Sequence, residues 1–322
     1  TNELGVKVFT WLFRLLVFKL MFMSGLVKLY THDQTWADMT ALTYHYYTQP
    51  LPNPLSFFVH QLPRWFHLFS CSFMFIIELM VPFFIFAGSF LRQSAAALFI
   101  GLQLIIIATG NYCFFNLLTI FLCVWLVDDL MLERLLPESI LLKFHRPQAI
   151  SNTDQIFSRQ INHQLLDLNS LSYPNIIRTN IIRGLIIILA FITIITDAFF
   201  ILIRSPIDTQ LVNNIIHVVD PVINPLTNFH LNNPYGLFAS MTTTRNEIII
   251  QGTNDLKSNA WQDYEFFFKP QNPLSMPAQV APYQPRLDWQ MWFAAFDSYQ
   301  DHPWILHLAY KLLRGSPAVL DL

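Results

Sequence analysis

Three charged side chains inside apolar stretches are the first candidates for chemistry in this sequence. Arg14 and Lys19 lie in the first apolar run, and Glu78 lies in the second. A cation within a membrane costs roughly 2.5 to 3.5 kcal/mol, so each one requires a partner or a water-filled cavity. Glu78 is the acceptor that the sequence offers. The three residues are either a buried polar site or, as we favour, a structural ion pair that fixes helix packing, with Lys28 extended to the membrane surface.

A polar, aromatic segment at residues 28–64 joins the two apolar runs and is closed by prolines. Its side chains suit stacking and amide hydrogen bonding to an unfolded protein. The candidates for such contact are Trp36, Asp38, His45, Tyr46, Tyr47, Gln49, Pro50, Pro52 and Asn53. Alternatively, the aromatic residues form a belt that holds the segment on the bilayer. The rigid Gln-Pro-Leu-Pro-Asn-Pro sequence is more than a belt requires.

The histidines and cysteines match no metal or redox motif. Four histidines cluster between the first apolar run and the start of the second, and their spacings fit no zinc signature; they are His32, His45, His60 and His67. The three cysteines lie in or beside apolar runs and include no Cys-x-x-Cys pair. We therefore predict no metal, no cofactor and no thiol-exchange activity.

The composition indicates an integral membrane protein. Apolar residues make up 53% of the 322 residues and charged residues only 12%, whereas soluble domains carry about 25% charged residues. The net charge of -2 and the lack of a basic block predict no nucleic-acid partner. Five segments approach the length of about 20 apolar residues that crosses a bilayer. They are Val8–Val27, Phe66–Ala87, Ala95–Thr109, Phe114–Val127 and Ile181–Ile203.

The third and fourth of these segments are short, which predicts a tight hairpin through residues 110–112. Asn111 and Asn116 are expected to cap this hairpin or to bond across it. Pro82, in the second segment, is expected to kink its helix because proline has no N–H to donate.

The basic residues predict the orientation of the spans. Residues 128–183 carry six lysines and arginines, whereas the turn at 110–112 carries none. Because basic loops remain in the cytoplasm, the 28–64 segment and everything after Arg204 are expected on the opposite side. Two regions far apart in sequence would then share one compartment.

The sequence thus predicts a membrane domain at residues 1–205 and an extracytoplasmic, mixed α/β domain at residues 206–322. Prolines punctuate the second part. Strand composition at Glu247–Gln251 and Asp263–Lys269, with turn residues between, predicts a small antiparallel sheet. The fold class is therefore an α-helical multi-pass bundle followed by a small α/β domain.

Two helices are predicted at the end of the chain. Asp288 is expected to cap the first, and Pro303 suits the first turn of the second, which ends at Arg314. An aromatic stripe on the first helix is more typical of a core-facing seam than of a groove; it comprises Trp289, Trp292, Phe293 and Phe296. Arg286, Asp288, Trp289 and Trp292 are nevertheless candidates for contact with a client, as is the polar turn at 242–246.

Several long, ordered matches now define a resemblance to the lipase maturation factor family. They are the 28–64 segment, IELMVPFFIF at Ile77–Phe86, NPYG at Asn233–Gly236, EIIIQGTND at Glu247–Asp255 and RLDWQMWFAAF at Arg286–Phe296. The resemblance covers essentially the whole chain. Similar family members begin with further membrane spans, and this chain begins at Thr1, which predicts that it is a piece of a longer protein.

The resemblance implies a chaperone-like membrane factor that helps secreted clients, by family homodimeric lipases, to fold and assemble. It implies no enzymatic activity, and the sequence has no Gly-x-Ser-x-Gly motif. A eukaryotic member would lie in the endoplasmic reticulum membrane, and a bacterial member in the inner membrane with a periplasmic C-terminal domain. The absence of an Asn-x-Ser/Thr sequence fits a bacterial member at least as well.

Two alternatives come from other classes. One is a purely structural or lipid-binding membrane protein without a client, and the other is an enzyme. In outline the chain is also similar to the vitamin K-dependent carboxylase group, whose members use membrane-embedded bases. Lys19, Lys28 or His45 beside Glu78 could take such a part. A deep cavity lined by these residues would favour the enzyme, and a closed, fully packed bundle would favour the assembly factor.

Overall fold

The computed structural model describes residues 3–135, 137, 238–257 and 260–320, together with isolated positions between residues 180 and 221. The chain divides into two compact units. The first comprises residues 1–16 and 125–235, and the second comprises residues 17–124 and 236–322. The predicted fifth span, Ile181–Ile203, and the basic loop before it lie mostly outside the described residues.

In the first unit, the start of helix α1 (Glu3–Tyr30) packs against the residues after 124. The rings of Phe13 and Trp125 stack at 4.4 Å between centroids. Arg14 Nε donates to the carbonyl oxygen of Trp125 at 3.2 Å. Arg14 therefore has a backbone acceptor within its own unit. Helix α8 (Asp129–Leu135) follows.

In the second unit, the 28–64 segment is helical rather than a loop. It forms α2 (Gln34–Ala37), α3 (Ala41–Thr48) and α4 (Pro54–His60). Asp33 Oδ1 accepts from the backbone N–H groups that begin α2. Asn53 begins α4 with a complete capping box and with proline at the first helical position. Local capping chemistry therefore explains why these helices start where they do.

The next helix changes type along its length. It runs as α5 (Arg64–Phe75), a π-helical turn at Ile76–Met80 and a 3₁₀ segment at Val81–Phe86. Pro82 cannot donate to a carbonyl one turn back, and the break in regular α-helix lies directly before it. The expected irregularity is present, and it places Glu78 in the π-helical turn.

Helices α6 (Ser89–Thr109) and α7 (Phe115–Cys123, continued as 3₁₀ to Leu126) form the predicted hairpin. Asn116 Nδ2 donates to Gln103 Oε1 at 2.8 Å, so the expected bond across the hairpin is confirmed. Asn111 instead bonds to other segments, as described below.

Among the described residues, two helices are long and apolar enough to cross a membrane, Arg64–Phe86 and Ser89–Thr109. The helix at Phe115–Leu126 is shorter. Large apolar side chains on these helices are exposed, as lipid contact requires; they include Phe69, Met80, Phe90, Leu104, Ile105 and Phe121. The structure supports a helical membrane protein, and the count of five spans stays a prediction.

The C-terminal part contains the predicted antiparallel pair, but each strand has only two residues. Strand β1 (Gln251–Gly252) pairs with β2 (Gln262–Asp263). The longer strands were predicted wrongly. The N–H groups of Phe268 and Lys269 donate to the Asp288 carboxylate, so side chains replace the ladder that these residues would need.

Three helices complete the C-terminal part, α9 (Arg286–Ala294), α10 (Trp304–Leu313) and α11 (Pro317–Leu320). The prediction of α10 between Pro303 and Arg314 is confirmed. The prediction that Asp288 caps α9 is wrong, because the N-cap residue is Pro285 and the Asp288 side chain bonds elsewhere.

A hydrophobic core joins the 28–64 segment, α5 and the C-terminal region. Its buried members are Trp36, Ala41, Cys71, Phe75 and Met241. Trp36 and Phe75 meet edge to face at 5.8 Å between ring centroids. The C-terminal region therefore packs within the second unit rather than standing apart from the helices.

Candidate functional site

Arg245 fastens the C-terminal region to the 28–64 segment. Its guanidinium donates to the carbonyl oxygens of Tyr47 at 2.9 Å, Pro50 at 3.1 Å and Gln49. Arg245 Nε also donates to Glu247 Oε1 at 2.8 Å. Burial lowers the pKa of Arg245 and the Glu247 charge opposes this effect, so the guanidinium remains charged. One planar cation thus holds the Gln-Pro turn in place.

Asn111 holds the other side of that turn and is almost completely buried. Its Nδ2 group donates to the carbonyl oxygens of Leu51, Pro52 and Ala278. Its Oδ1 atom accepts from the backbone N–H groups of Val280 and Ala281 at 2.8 and 2.9 Å. The residue predicted as a hairpin cap therefore joins three segments of the chain.

Asn53 repeats this arrangement next to Asn111. It is fully buried, and its Nδ2 donates to Ala108 O and to Gln279 Oε1, each at 2.8 Å. Its Oδ1 caps α4 by accepting from Ser56 N. Asn53 cannot contact a client in this conformation, so it belongs to the framework.

Further hydrogen bonds connect the same two regions. They run from Thr31 Oγ1 to Ala239 O, Met241 N to Asp33 Oδ2, Trp36 Nε1 to Phe238 O, Tyr47 OH to Thr243 O, and Trp292 Nε1 to Thr48 O. Although burial raises the pKa of Asp33, its hydrogen bonds from Thr35 and Met241 lower it below the ordinary value. The two regions are therefore in direct contact.

A buried network centres on Tyr112. The Tyr112 hydroxyl donates to Gln49 Oε1 at 2.6 Å, because Gln49 Nε2 already donates to the carbonyl oxygens of Tyr46 and Thr109. The hydroxyl oxygen lies 3.0 Å from His45 Nε2 and therefore accepts from it. His45 Nδ1 is buried and has no hydrogen-bond partner among the described residues, which fits a neutral ring protonated at Nε2.

The pH dependence of stability should report on His45. Burial and the nearby Lys28 charge lower its pKa from 6.5 to about 4. Between pH 6.5 and 4, His45 is protonated in the unfolded chain but neutral in the folded chain. The free energy of unfolding should therefore fall as pH decreases from about 6.5 to 4, by up to about 1.4 kcal/mol per pH unit. Thermal melting of the purified protein across this range measures the slope.

His45→Gln is the matched control for this pH effect. Glutamine keeps an N–H donor for Tyr112 but does not titrate, so the slope between pH 6.5 and 4 should shrink. An unchanged slope in His45→Gln would assign the titration to another group.

Gly110 lies where a side chain cannot fit. A Cβ atom there would be 2.3 Å from both Gln49 Oε1 and Tyr112 Cε2, whereas a Cβ on Gly101 would meet nothing within 4 Å. Gly110→Ala should therefore destabilise the protein by about 1 to 3 kcal/mol. Gly101→Ala, in the interior of α6, should instead stabilise it by up to about 1 kcal/mol. Opposite shifts in melting temperature test this pair.

Several residues predicted to contact a client are buried. Trp36, Tyr46 and Gln49 are exposed by less than a tenth, so in this conformation they are not part of an exposed surface, and their contact with a client stays a prediction. Burial raises the pKa of Tyr46 to about 12. Asp38 accepts from Gln34 on the surface, and the rings of Tyr47 and His60 meet edge to face. The aromatic residues of this segment mainly fill a core.

The candidates in α9 divide by exposure. Arg286 is exposed, and Asp288 is buried as the acceptor for residues 268 and 269. Trp292 stacks edge to face on Phe293 and on Phe296, and both of those phenylalanines are about half exposed. The aromatic stripe of α9 is therefore neither fully buried in the core nor fully open as a binding groove.

Lys28 and Glu78 form a buried ion pair. Lys28 Nζ lies 2.7 Å from Glu78 Oε2 and donates to Ser24 O at 2.8 Å. Lys28 is only 5% exposed, so its expected extension to the membrane surface is wrong. The pair depends on Gly25, where a Cβ would be 2.8 Å from Glu78 Cβ. Lys19 is buried as well.

A cavity of about 570 Å³ lies beside this pair, within the second unit. Lys28 and Glu78 line it together with Gln103 and Asn116. The remaining wall is mostly apolar and includes Leu20, Met21, Ile106, Phe115, Phe238, Trp289 and Trp292. His45 is not part of the lining. The helices are therefore not fully packed around the Lys28–Glu78 pair.

Sequence reasoning missed Arg245, Gln103 and the pairing of Lys28. A lone arginine in a polar turn gave no signal, and Lys28 sits at the end of an apolar run where a surface position is usual. Among the described residues, no group of three or more histidine, cysteine or acidic side chains is close enough to hold a metal ion.

Taken together, these features define a helical membrane protein whose C-terminal region is fastened to the first connecting segment. A family model described as the lipase maturation factor transmembrane domain matches residues 4–134, and one described as the lipase maturation factor C-terminal domain matches residues 231–322. The chain belongs to the lipase maturation factor family.

Curated relatives agree over nearly the whole chain. Lipase maturation factor 1 of Mus musculus is 35% identical over 98% of this chain, and that of Homo sapiens is 34% identical over 98%. Lipase maturation factor 2 of Xenopus tropicalis is 33% identical over 97%. The chain spans about half the length of these relatives, at 52%, 52% and 53%. No solved structure matches.

Proposed function

We propose that this chain forms the membrane core of a maturation factor that helps a secreted client, by family a homodimeric lipase, to fold and assemble. The family membership supports a role in lipase maturation. The single observation that carries the proposal further is the fastening of the C-terminal region to the 28–64 segment through Arg245 and Asn111. Such cross-connection gives a rigid platform in which no catalytic residue is needed.

Exposed apolar side chains on the C-terminal region supply the proposed client surface. Several large ones are more than half exposed: Phe267, Leu274, Met276, Tyr283 and Phe293. An unfinished client exposes apolar surface that its folded form buries, so this surface would bind the unfinished form preferentially. These residues replace the buried aromatic residues of the 28–64 segment as contact candidates.

The platform is proposed to lie outside the cytoplasm, where secreted proteins fold. This is the endoplasmic reticulum lumen for a eukaryotic member and the periplasm for a bacterial one. The direct contacts between the 28–64 segment and residues 238–292 support a common side for both.

The test is a rescue experiment in cells that lack the endogenous factor and secrete a reporter lipase. Phe267→Ser with Leu274→Ser should lower secreted lipase activity several-fold and reduce co-purification of the lipase. The control is Phe90→Ser with Leu104→Ser, which makes the same changes at two positions of α6 that are also more than half exposed. Full rescue by the C-terminal pair, at normal protein levels, would refute this client surface.

The cavity beside Lys28 and Glu78 favours a second candidate, a membrane enzyme similar in outline to the vitamin K-dependent carboxylase group. Lys28 or Glu78 would act as the base. His45 is a poor base in this role because it is neutral, bonded to Tyr112 and absent from the lining. Turnover of a quinone-like lipid by the purified protein, lost in a folded variant without the ion pair, would support the enzyme.

A further inference from the structure

Two amide side chains lie side by side in the lining of the cavity in the second unit. Asn116 Nδ2 donates to Gln103 Oε1 at 2.8 Å. Among the described residues, neither the Gln103 amide nitrogen nor the Asn116 carbonyl oxygen makes a further hydrogen bond. A ligand hydroxyl that pairs with both atoms would therefore gain affinity here.

The remaining lining specifies the rest of the ligand. Lys28 and Glu78 neutralise one another at 2.7 Å, so the cavity carries no net charge from this pair. A charged ligand would have to separate the pair inside a low-dielectric site. Trp289, Trp292 and Phe115 present apolar surface to the same space. The volume of about 570 Å³ lies within the range of about 300 to 1,000 Å³ that is usual for compact ligands.

Part of the cavity wall is exposed. Phe114 is 58% exposed and Phe293 is 51% exposed, and both belong to the wall. Phe114 directly precedes the apolar helix α7, and Ile106 lies near the end of α6. This side of the wall is the proposed route of entry for a molecule dissolved in the bilayer.

We propose that this cavity binds an uncharged, hydroxyl-bearing lipid from the bilayer. Its hydroxyl group donates to the Asn116 carbonyl oxygen and accepts from the Gln103 amide, while its hydrocarbon part lies against Trp289 and Trp292. The site adjoins the proposed client surface at Phe293, which belongs to both, and it does not require a catalytic step.

The experiment uses the intact protein in phosphatidylcholine nanodiscs and native mass spectrometry. The probe is monoolein, which is uncharged and carries two hydroxyl groups; oleate is the anionic comparison. Saturable binding of monoolein is expected, with weaker binding of oleate. Gln103→Leu should lower the affinity for monoolein about tenfold, because it removes the amide that pairs with the hydroxyl.

Matched controls come from the same helix. Gln93→Leu makes the same chemical change at a half-buried position of α6 outside the cavity lining and should leave binding unchanged. Ile106→Trp fills the cavity and should abolish binding, whereas Ile105→Trp, at a position 58% exposed, should not. Thermal melting establishes that each variant is folded. Equal monoolein binding by the Ile106→Trp and Ile105→Trp proteins, tighter binding of oleate, or no saturable binding would overturn the proposal.

Discussion

Lys28→Met should destabilise the second unit by about 3 to 5 kcal/mol, because it leaves the Glu78 carboxylate buried without its partner. The pair is tight, at 2.7 Å between Lys28 Nζ and Glu78 Oε2, and both side chains are less than a tenth exposed. Chemical unfolding in detergent, followed by tryptophan fluorescence, measures the loss.

The double variant Lys28→Met with Glu78→Met separates structure from chemistry. Replacing both charges with apolar side chains of similar size is often neutral for stability, so the double variant should recover most of the loss. A recovered fold that still supports lipase secretion would identify the pair as structural. A recovered fold without activity would favour the enzyme. A double variant as unstable as the single one would contradict the ion-pair explanation.

Arg245→Met should destabilise the contact between the C-terminal region and the 28–64 segment by about 3 kcal/mol or more. The substitution leaves the carbonyl oxygens of Tyr47, Gln49 and Pro50 without their donor. It also leaves Lys269 as the remaining ion-pair partner of Glu247. Limited proteolysis between residues 238 and 285 should become much faster. Chemical unfolding gives the size of the effect.

Two variants control for the loss of charge. Arg286→Met removes an exposed arginine from the same region and should change stability by less than about 0.5 kcal/mol. Arg245→Lys keeps the charge but lacks the planar fork, so it should recover only part of the stability. Full recovery by lysine would show that charge alone holds the turn.

The predicted strands in the C-terminal part are much longer than the strands that the structure contains. Residues 264–269 have strand composition, yet Asp288 and Gln271 accept their backbone N–H groups and only two residues pair in each strand. Alternation in a sequence reports which residues suit a pleated surface. It does not report that a distant carboxylate competes for the same donors.

The 28–64 segment shows a similar limit. Its composition indicated a membrane-surface segment with a rigid turn, and the turn exists between α3 and α4. The sequence did not show which of its polar residues are buried, because burial is a tertiary property. Asn53 and Gln49 have the chemistry of contact residues, but Asn53 bonds to Ala108 and Gln279, and Gln49 bonds to Arg245 and Tyr112.

By itself, the sequence determined the membrane class, the family, the hairpin of α6 and α7, the irregular helix at Pro82 and the last long helix. These follow from local rules, since hydropathy, capping and the missing proline N–H act over a few residues. Tertiary structure alone decided that Lys28 pairs with Glu78, that Arg245 fastens two distant regions and that an uncharged cavity lies between Gln103 and Trp289. Those features depend on contacts between side chains that are 50 to about 200 residues apart in the sequence. Only the packing of the folded chain decides which of these side chains meet.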